Sequence, residues 1–240
     1  MKKLLYKFFR KVEKYLPAFI VCRLEFKNQT FNNFNERPIE FGFVFKCITK
    51  LYPNTILDVG TGTTALPHLI RNCGPLVTAI DNVTDYWPKG MSNRHYHVLD
   101  KDITSSTCTI NSEFDMITCI SVLEHIIQNH QAMKNMFGLL KVGGHIVLTC
   151  PYTEKKYESN VYKLPDSNAY HSNIPFVCQS YSRSELNDWI KEFNGEIIEQ
   201  QYWQFWDGKF WSAGNRIIPP VMTESDQPHQ LSCVLIKKIK

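Results

Sequence analysis

Thr55–Ile56–Leu57–Asp58–Val59–Gly60–Thr61–Gly62–Thr63–Thr64 is the stretch on which the reading of this chain turns. It starts as an apolar strand and breaks at two glycines one residue apart. It then hands over to an amphipathic segment from Ala65 to Arg71, with Leu66, Leu69 and Ile70 available to pack. Gly60 and Gly62 permit a tight turn and a close approach to a bound group. A strand, a glycine turn and a helix start, where the first N–H groups lack helical partners, form an arrangement suited to a nucleoside cofactor. Leu76–Val77–Thr78–Ala79–Ile80 reads as the next strand and ends at Asp81. That carboxylate falls about 20 residues beyond the loop, the distance at which it can accept both hydrogen bonds of a ribose diol.

Working outward from there, Pro38 opens a helix through about Leu51, with Phe41, Val44, Phe45 and Ile48 on one stripe. Residues 23–35 are polar and asparagine-rich and read as a loop. In Met1–Phe19, apolar residues at 4, 8, 12, 15 and 19 predict an amphipathic helix that stops near Pro17. Its lysines and Arg10 interrupt every apolar run, which excludes a signal peptide or a spanning helix for this segment. The expected organisation is an N-terminal helical arm and cap over 1–50, packed on a main domain over 51–240.

On the other side of the glycine stretch, Asn82–Gly90 is a loop carrying Tyr86, Trp87 and Pro88, and Arg94–Leu99 is a third strand. Residues 104–112 are a serine- and threonine-rich connection. Phe114–Ile120 is a fourth strand, Gln128–Leu140 a helix and His145–Cys150 a fifth strand. Such strands, nearly all apolar and alternating with helices, predict a mostly parallel sheet covered on both faces. Tyr152–Tyr181 breaks the rhythm with tyrosines 152, 157, 162, 170 and 181. A segment this long and aromatic reads as a functional insertion. Ser182–Phe193 is a helix with a capping box from Ser182 and Glu185. Ile197–Trp206 and Leu231–Ile239 are the last two strands, with a second insertion over about 207–228.

The 240 residues are 43% hydrophobic and 21% charged, the composition of an ordinary folded domain. Eight cysteines form no CxxC pair and no zinc-ligand cluster, so a reducing compartment without a disulfide framework is expected. The net charge of +4 is uneven: residues 1–50 hold eleven Lys or Arg against four Asp or Glu, the remainder sixteen against nineteen. Basic residues are thus not spread around a cleft, which argues against a polynucleotide partner. The basic arm instead offers a peripheral contact to an anionic membrane surface. The expected location is cytoplasmic, including the inner membrane surface.

Ile56–Leu57–Asp58–Val59–Gly60–Thr61–Gly62 resembles the first motif of the class I methyltransferases that use S-adenosylmethionine. Asp81–Asn82 resembles their acidic ribose motif, and Asp100–Lys101–Asp102–Ile103 the motif that meets the adenine. Phe114–Ile126 and Leu140–Leu148 are similar to the family's fourth and fifth strands with their loops. The resemblance covers Leu51 to about Pro151 closely and the rest more loosely to Ile236. It implies a Rossmann-like α/β fold with a seven-stranded, mostly parallel sheet whose last strand is antiparallel.

The same resemblance implies cofactor-binding roles for Asp58, Gly60, Gly62, Asp81, Asn82, Asp102, Ile103 and Ser121, with Asp100 as the alternative to Asp102 at the adenine. The expected reaction is methyl transfer to a hydroxyl of a small molecule, saccharide or glycan. Glu124 and His125, just past the fourth strand, and His171 in the 152–181 insertion are the candidate catalytic groups. His171 is attractive because a free imidazole titrates near neutrality. One branch of the family, the RNA 3′-end and ubiquinone-precursor enzymes, binds a divalent metal through a Glu-x-x-Glu-His run. Here Ser121 stands where the first Glu would be, so no metal ligands are assigned. The rival readings are an RNA or other nucleic-acid methyltransferase, a cofactor-binding protein without turnover, and a nicotinamide dehydrogenase. The last would normally show a third glycine where this chain has Thr64.

Overall fold

The computed structural model describes every residue except 1, 28, 30, 31, 33, 88, 107–109, 111 and 112. For 2–4, 6, 7, 10, 11, 13–15, 18 and 25 it describes the backbone alone. Pro88 and most of the serine- and threonine-rich connection, with Cys108, therefore lie outside the described residues. The chain divides into two compact units, Met1–Glu36 and Arg37–Lys240.

In the first unit a helix, α1, spans Lys2–Lys27 with Pro17 inside it. It runs past the expected stop into the segment read as a loop. A proline forfeits one intrahelical donor, but its fixed φ suits the helical turn that follows it. Phe19, Ile20, Leu24 and Lys27 continue the helical spacing beyond it.

The second unit begins with α2, Arg37–Leu51, the helix expected to belong with the arm. Its eight strands are β1 Thr55–Val59, β2 Leu76–Asp81, β3 Val98–Asp100, β4 Phe114–Ile120, β5 Leu140–Pro151, β6 Gly195–Trp206, β7 Arg216–Thr223 and β8 Leu231–Lys238. They form one sheet in the order β3-β2-β1-β4-β5-β8-β6-β7. The first five pair in parallel, and β8 inserts antiparallel between β5 and β6. Seven strands in this order are the expected Rossmann-like sheet. The eighth, β7, is an edge strand antiparallel to β6, drawn from the segment read as a second insertion. Ile217, Ile218 and Val221 favour an extended edge, and Pro219 and Pro220 are tolerated there because an edge strand leaves backbone donors unused.

Helices cover both faces. Phe43, Val44, Cys47 and Ile48 of α2 and Leu66 and Ile70 of α3 (Leu66–Asn72) pack on one side with Ile56, Met116 and Val147. On the other, Met133, Met136 and Phe137 of α4 (Asn129–Leu139) and Leu186 and Trp189 of α5 (Arg183–Phe193) pack on Leu57, Ile117 and Leu148. Adjacent strand residues thus serve opposite layers, the consequence of a pleat with period two. The capping box of α5 is present: the Ser182 and Glu185 side chains each accept from the backbone of the other's region.

The 152–181 insertion is tied down rather than open. Tyr152 pairs with Tyr181 and Glu158 with Ser180 as isolated bridges, and both Tyr152 and Tyr181 are fully buried. Two of its tyrosines are therefore core residues. Trp203, Trp206 and Trp211 likewise pack against the core layer that includes α2. Among the described residues no cysteine is in a disulfide, and Cys47, Cys119, Cys150, Cys178 and Cys233 are buried.

Candidate active site

The strand order reverses between β1 and β4, so the chain leaves the carboxyl ends of these neighbours in opposite directions and opens a crevice. A cavity of about 450 Å³ lies there. Asp58, Gly60, Gly62, Asp81, Asn82, Asp102, Ile103, Ser121 and His125 all line it. Glu124 and His171 do not: Glu124 is buried beside His125, and His171 is exposed on its loop with its ring edge-on to Tyr170.

The glycine turn is fastened by its own backbone donors. Gly60 and Gly62 have φ of +71° and +55°, which favours glycine. A side chain at Gly60 would also collide with Val122. The N–H groups of Gly60 and Thr61 donate to the Ile80 carbonyl, and that of Gly62 donates to Asp81 Oδ2 at 2.7 Å. These donors, expected to be free at the helix start, are used to join the turn to β2. Asn93 Nδ2 donates to the carbonyls of Gly62 and Thr64 and pins the loop from above.

Asp58 is buried at the end of β1, with one carboxylate oxygen accepting from Thr118 at 2.6 Å and the other from Thr61 at 2.7 Å. Burial pushes its pKa up to about 6, against the two hydroxyl bonds that favour the ionised form. Asp81 is buried at the end of β2 and accepts at its second oxygen from the Trp87 indole N–H at 3.0 Å. Asp100 turns away to accept from Val83 N and Thr84 Oγ1, bracing the loop after β2. Of the two candidates on this strand end, Asp102 is therefore the one in the cavity wall.

Just past β4, Ser121 has a left-handed φ of +51°, a strained conformation for a side chain with a Cβ. Its hydroxyl donates to Glu40 Oε1 at 2.5 Å, as does Thr149 at 2.7 Å, and Arg37 Nη1 donates to Glu40 Oε2 at 2.6 Å. A buried carboxylate from α2 thus sits beside Ser121, where the metal-binding run of one family branch carries its own Glu. Among the described residues, no group of three or more His, Cys, Asp or Glu is placed to hold a metal ion.

A short 3-10 turn, Leu123–His125, carries the next groups. The 152–181 segment clamps it. Gln179 Nε2 donates to the Ile126 carbonyl at 2.8 Å, and the Tyr181 hydroxyl donates to that of Leu123 at 2.7 Å. His125 Nδ1 lies 2.6 Å from the Val177 carbonyl. A carbonyl only accepts, so Nδ1 is the protonated nitrogen and the neutral ring carries its lone pair on Nε2. Burial holds the His125 pKa below the ordinary histidine value, although the Val177 bond opposes this and Arg37 adds to it. Phe176 packs edge-on against His125, with ring centroids 4.8 Å apart, and touches Tyr86 of the loop after β2.

Sequence reasoning missed Arg37, Phe41 and Lys101 in the cavity wall and the structural partners Asn93 and Gln179. No local pattern marks Asn93 or Gln179, because each acts on a turn brought close only by the sheet. What the cavity suits is clear from its donors. Asp58, Asp81 and Asp102 repel a diphosphate, and the amides of Gly60, Thr61 and Gly62 are not offered to one. Carboxylates, cations and apolar walls together fit a zwitterion carrying a positive centre, a ribose and a flat base, which is the chemistry of S-adenosylmethionine.

Residues 29–200 match the family described as a methyltransferase domain. The ubiquinone biosynthesis O-methyltransferase of Coxiella burnetii is 24% identical over 173 residues, 68% of this chain and 71% of that protein. The 1,6-didemethyltoxoflavin N1-methyltransferase of Burkholderia thailandensis, solved with that compound and S-adenosylhomocysteine, aligns at a TM-score of 0.57 and 11% identity, covering 95% of this chain and 87% of that one. An S-adenosylmethionine-dependent methyltransferase of Clostridium acetobutylicum aligns at 0.53 and 15% identity, over 98% and 99%. At such identities the structures speak for the fold alone, whereas the family match spans well over half of the chain. The chain belongs to the methyltransferase domain family, as an S-adenosylmethionine-dependent enzyme of the class I fold.

Proposed function

We propose that this enzyme methylates a hydroxyl of a small molecule whose ring has an apolar face, a phenol or a saccharide, and that His125 is the base. The observation that carries this reading is the fixed tautomer of His125: Nδ1 is committed to Val177, and the ring is held neutral by burial. Bound S-adenosylmethionine supplies an activated methyl group, so the remaining tasks are alignment and removal of the acceptor's proton. His125 Nε2 takes that proton, and Glu124 Oε1, 3.9 Å away, favours the imidazolium that results.

On this reading Asp81 and Asn82 receive the ribose, Asp102 and Ile103 the adenine, and Gly60 and Gly62 admit the chain between ribose and methionine. Asp58 faces the amine of the methionine end. Arg37 suits its carboxylate, and Ser121 forms the wall beside it. The acceptor rests against Tyr86, Phe176, Ile126 and Ile127, an apolar and aromatic rim. Relatives named as ubiquinone biosynthesis O-methyltransferases support a hydroxyl acceptor. His171 remains outside this proposal, since it is exposed away from the cavity.

The test is transfer of labelled methyl to a panel of phenols, nucleotide sugars and small RNAs, with and without a chelator. Phenols or saccharides should be methylated with and without chelator. His125→Ala should lower kcat by roughly 10²–10⁴-fold and leave S-adenosylhomocysteine affinity unchanged. In the parent, activity should fall on the acid side, below the ordinary histidine pKa. Chelator-sensitive methylation of RNA alone would overturn the reading.

A further inference from the structure

Helix α1 carries Leu5, Phe8, Phe9, Val12, Leu16, Phe19 and Ile20, all exposed, with Phe8 at 63% and Phe19 at 61%. Their spacing of three, one, three, four, three and one places them on one side of a helix. In the sequence Lys3, Lys7, Arg10 and Lys14 recur between these apolar positions, at steps of four and three. Over residues 1–27 the chain has eight Lys or Arg against two Glu. An exposed apolar stripe of this length is costly in water and marks a contact surface. Its charge decides the occupant. A groove on a neutral protein would satisfy the stripe but not the basic side. A helix lying in the plane of an anionic bilayer satisfies both, with phenylalanines in the acyl boundary and lysines among the headgroups. No helix among the described residues is long and apolar enough to cross a membrane, so the contact is a peripheral one.

We infer that α1 is an interfacial helix that binds the enzyme reversibly to the surface of an anionic phospholipid bilayer. This goes beyond the proposed chemistry and does not rest on it.

The test is co-sedimentation of the full chain with vesicles of phosphatidylcholine alone or mixed with phosphatidylglycerol. Binding should be strong to the mixed vesicles and weak to phosphatidylcholine, and should fall with added salt. Phe8→Glu with Phe19→Glu should weaken partitioning by roughly 100-fold or more, two buried aromatic side chains being lost. Lys7→Gln with Lys14→Gln should remove about 30-fold of the preference for anionic lipid. Titration with S-adenosylhomocysteine should be the same for all variants, which establishes that the catalytic unit is folded. Failure of the parent to bind mixed vesicles would overturn the inference, as would equal binding by the phenylalanine variant. Self-association that the phenylalanine substitutions abolish, without vesicle binding, would assign the stripe to a second copy of the chain.

Discussion

Two aspartates at neighbouring strand ends do different work. Asp81 braces the glycine turn through Gly62 N–H and holds the Trp87 indole, so it is a buried keystone as well as the expected ribose acceptor. Asp81→Asn retains an acceptor for Gly62 but loses the charge. Hydrogen bonds to a charged group contribute about 1.5–3 kcal/mol, so S-adenosylhomocysteine affinity should fall roughly 10- to 150-fold by calorimetry. Equal affinity in variant and parent would place the ribose elsewhere. Asp58 should make binding depend on pH. A cationic amine favours its ionised form, so affinity in the parent should rise as pH rises through about 6, and Asp58→Asn should bind more weakly with a flat profile. For stability the sign is reversed. A raised folded pKa gives a contribution fully present below the ordinary value of 3.8 and lost as pH rises through about 6. Titrations across that range check the first statement and denaturation midpoints the second.

At the scale of elements, the turn Leu123–His125 carries the proposed base, and its shape is imposed from outside. Gln179 is buried, donates to its carbonyls, and accepts from Asn129 at 2.8 Å and Tyr157 at 2.6 Å. Gln179→Ala leaves several of these groups unpaired, a loss of about 2 kcal/mol, which lowers the thermal midpoint by about 4–8 °C. The displaced turn misaligns His125, so kcat should fall more than cofactor affinity. An unchanged midpoint together with normal kcat would show that the turn holds itself. The loop after β2 is the second element of the site, with Tyr86 against Phe176 and Trp87 over the glycine turn. Trp87→Phe removes the indole donor to Asp81 and keeps the aromatic wall. The freed carboxylate should bind S-adenosylhomocysteine at least as tightly as the parent, and a large loss of affinity would refute the view that Trp87 competes for Asp81.

Over the whole molecule, function and stability lie at opposite ends of the sheet. At the end away from the cavity, Asp115 accepts from Asn54 N, Thr55 N, Thr55 Oγ1 and Lys141 Nζ, fastening the starts of β1 and β4 together. Although burial opposes it, the bonds from Lys141 and Thr55 hold the Asp115 pKa below the ordinary carboxylate value. A lowered pKa contributes stability that is present above the ordinary value and lost as pH falls through the folded one. Asp115→Ala should cost about 2 kcal/mol at neutral pH, and that deficit should shrink in acid, where the parent loses the same contribution. Cofactor affinity should not change. A loss of affinity equal to that of Asp81→Asn would deny that the two ends are separable.

The fold was readable because it rests on local patterns. Apolar runs over 55–59, 76–80 and 114–120, glycines at 60 and 62, and the capping box at Ser182 each bear on a few neighbouring residues, and period and turn chemistry act at that range. The carboxyl-end positions of Asp58, Asp81, Asp102 and His125 followed from the same strands. What only the tertiary structure decided were contacts between residues far apart in the chain. Ser121 meets Glu40, Gly62 meets Asp81 and Asn93, and His125 meets Val177, which settles its tautomer. That Asp102 and not Asp100 stands in the cavity wall depended on where one strand-end residue turned toward the loop after β2. The eighth strand depended on β6 offering a free edge. Local sequence sets conformational preference, but hydrogen-bond partners and burial are fixed by which surfaces the sheet brings together.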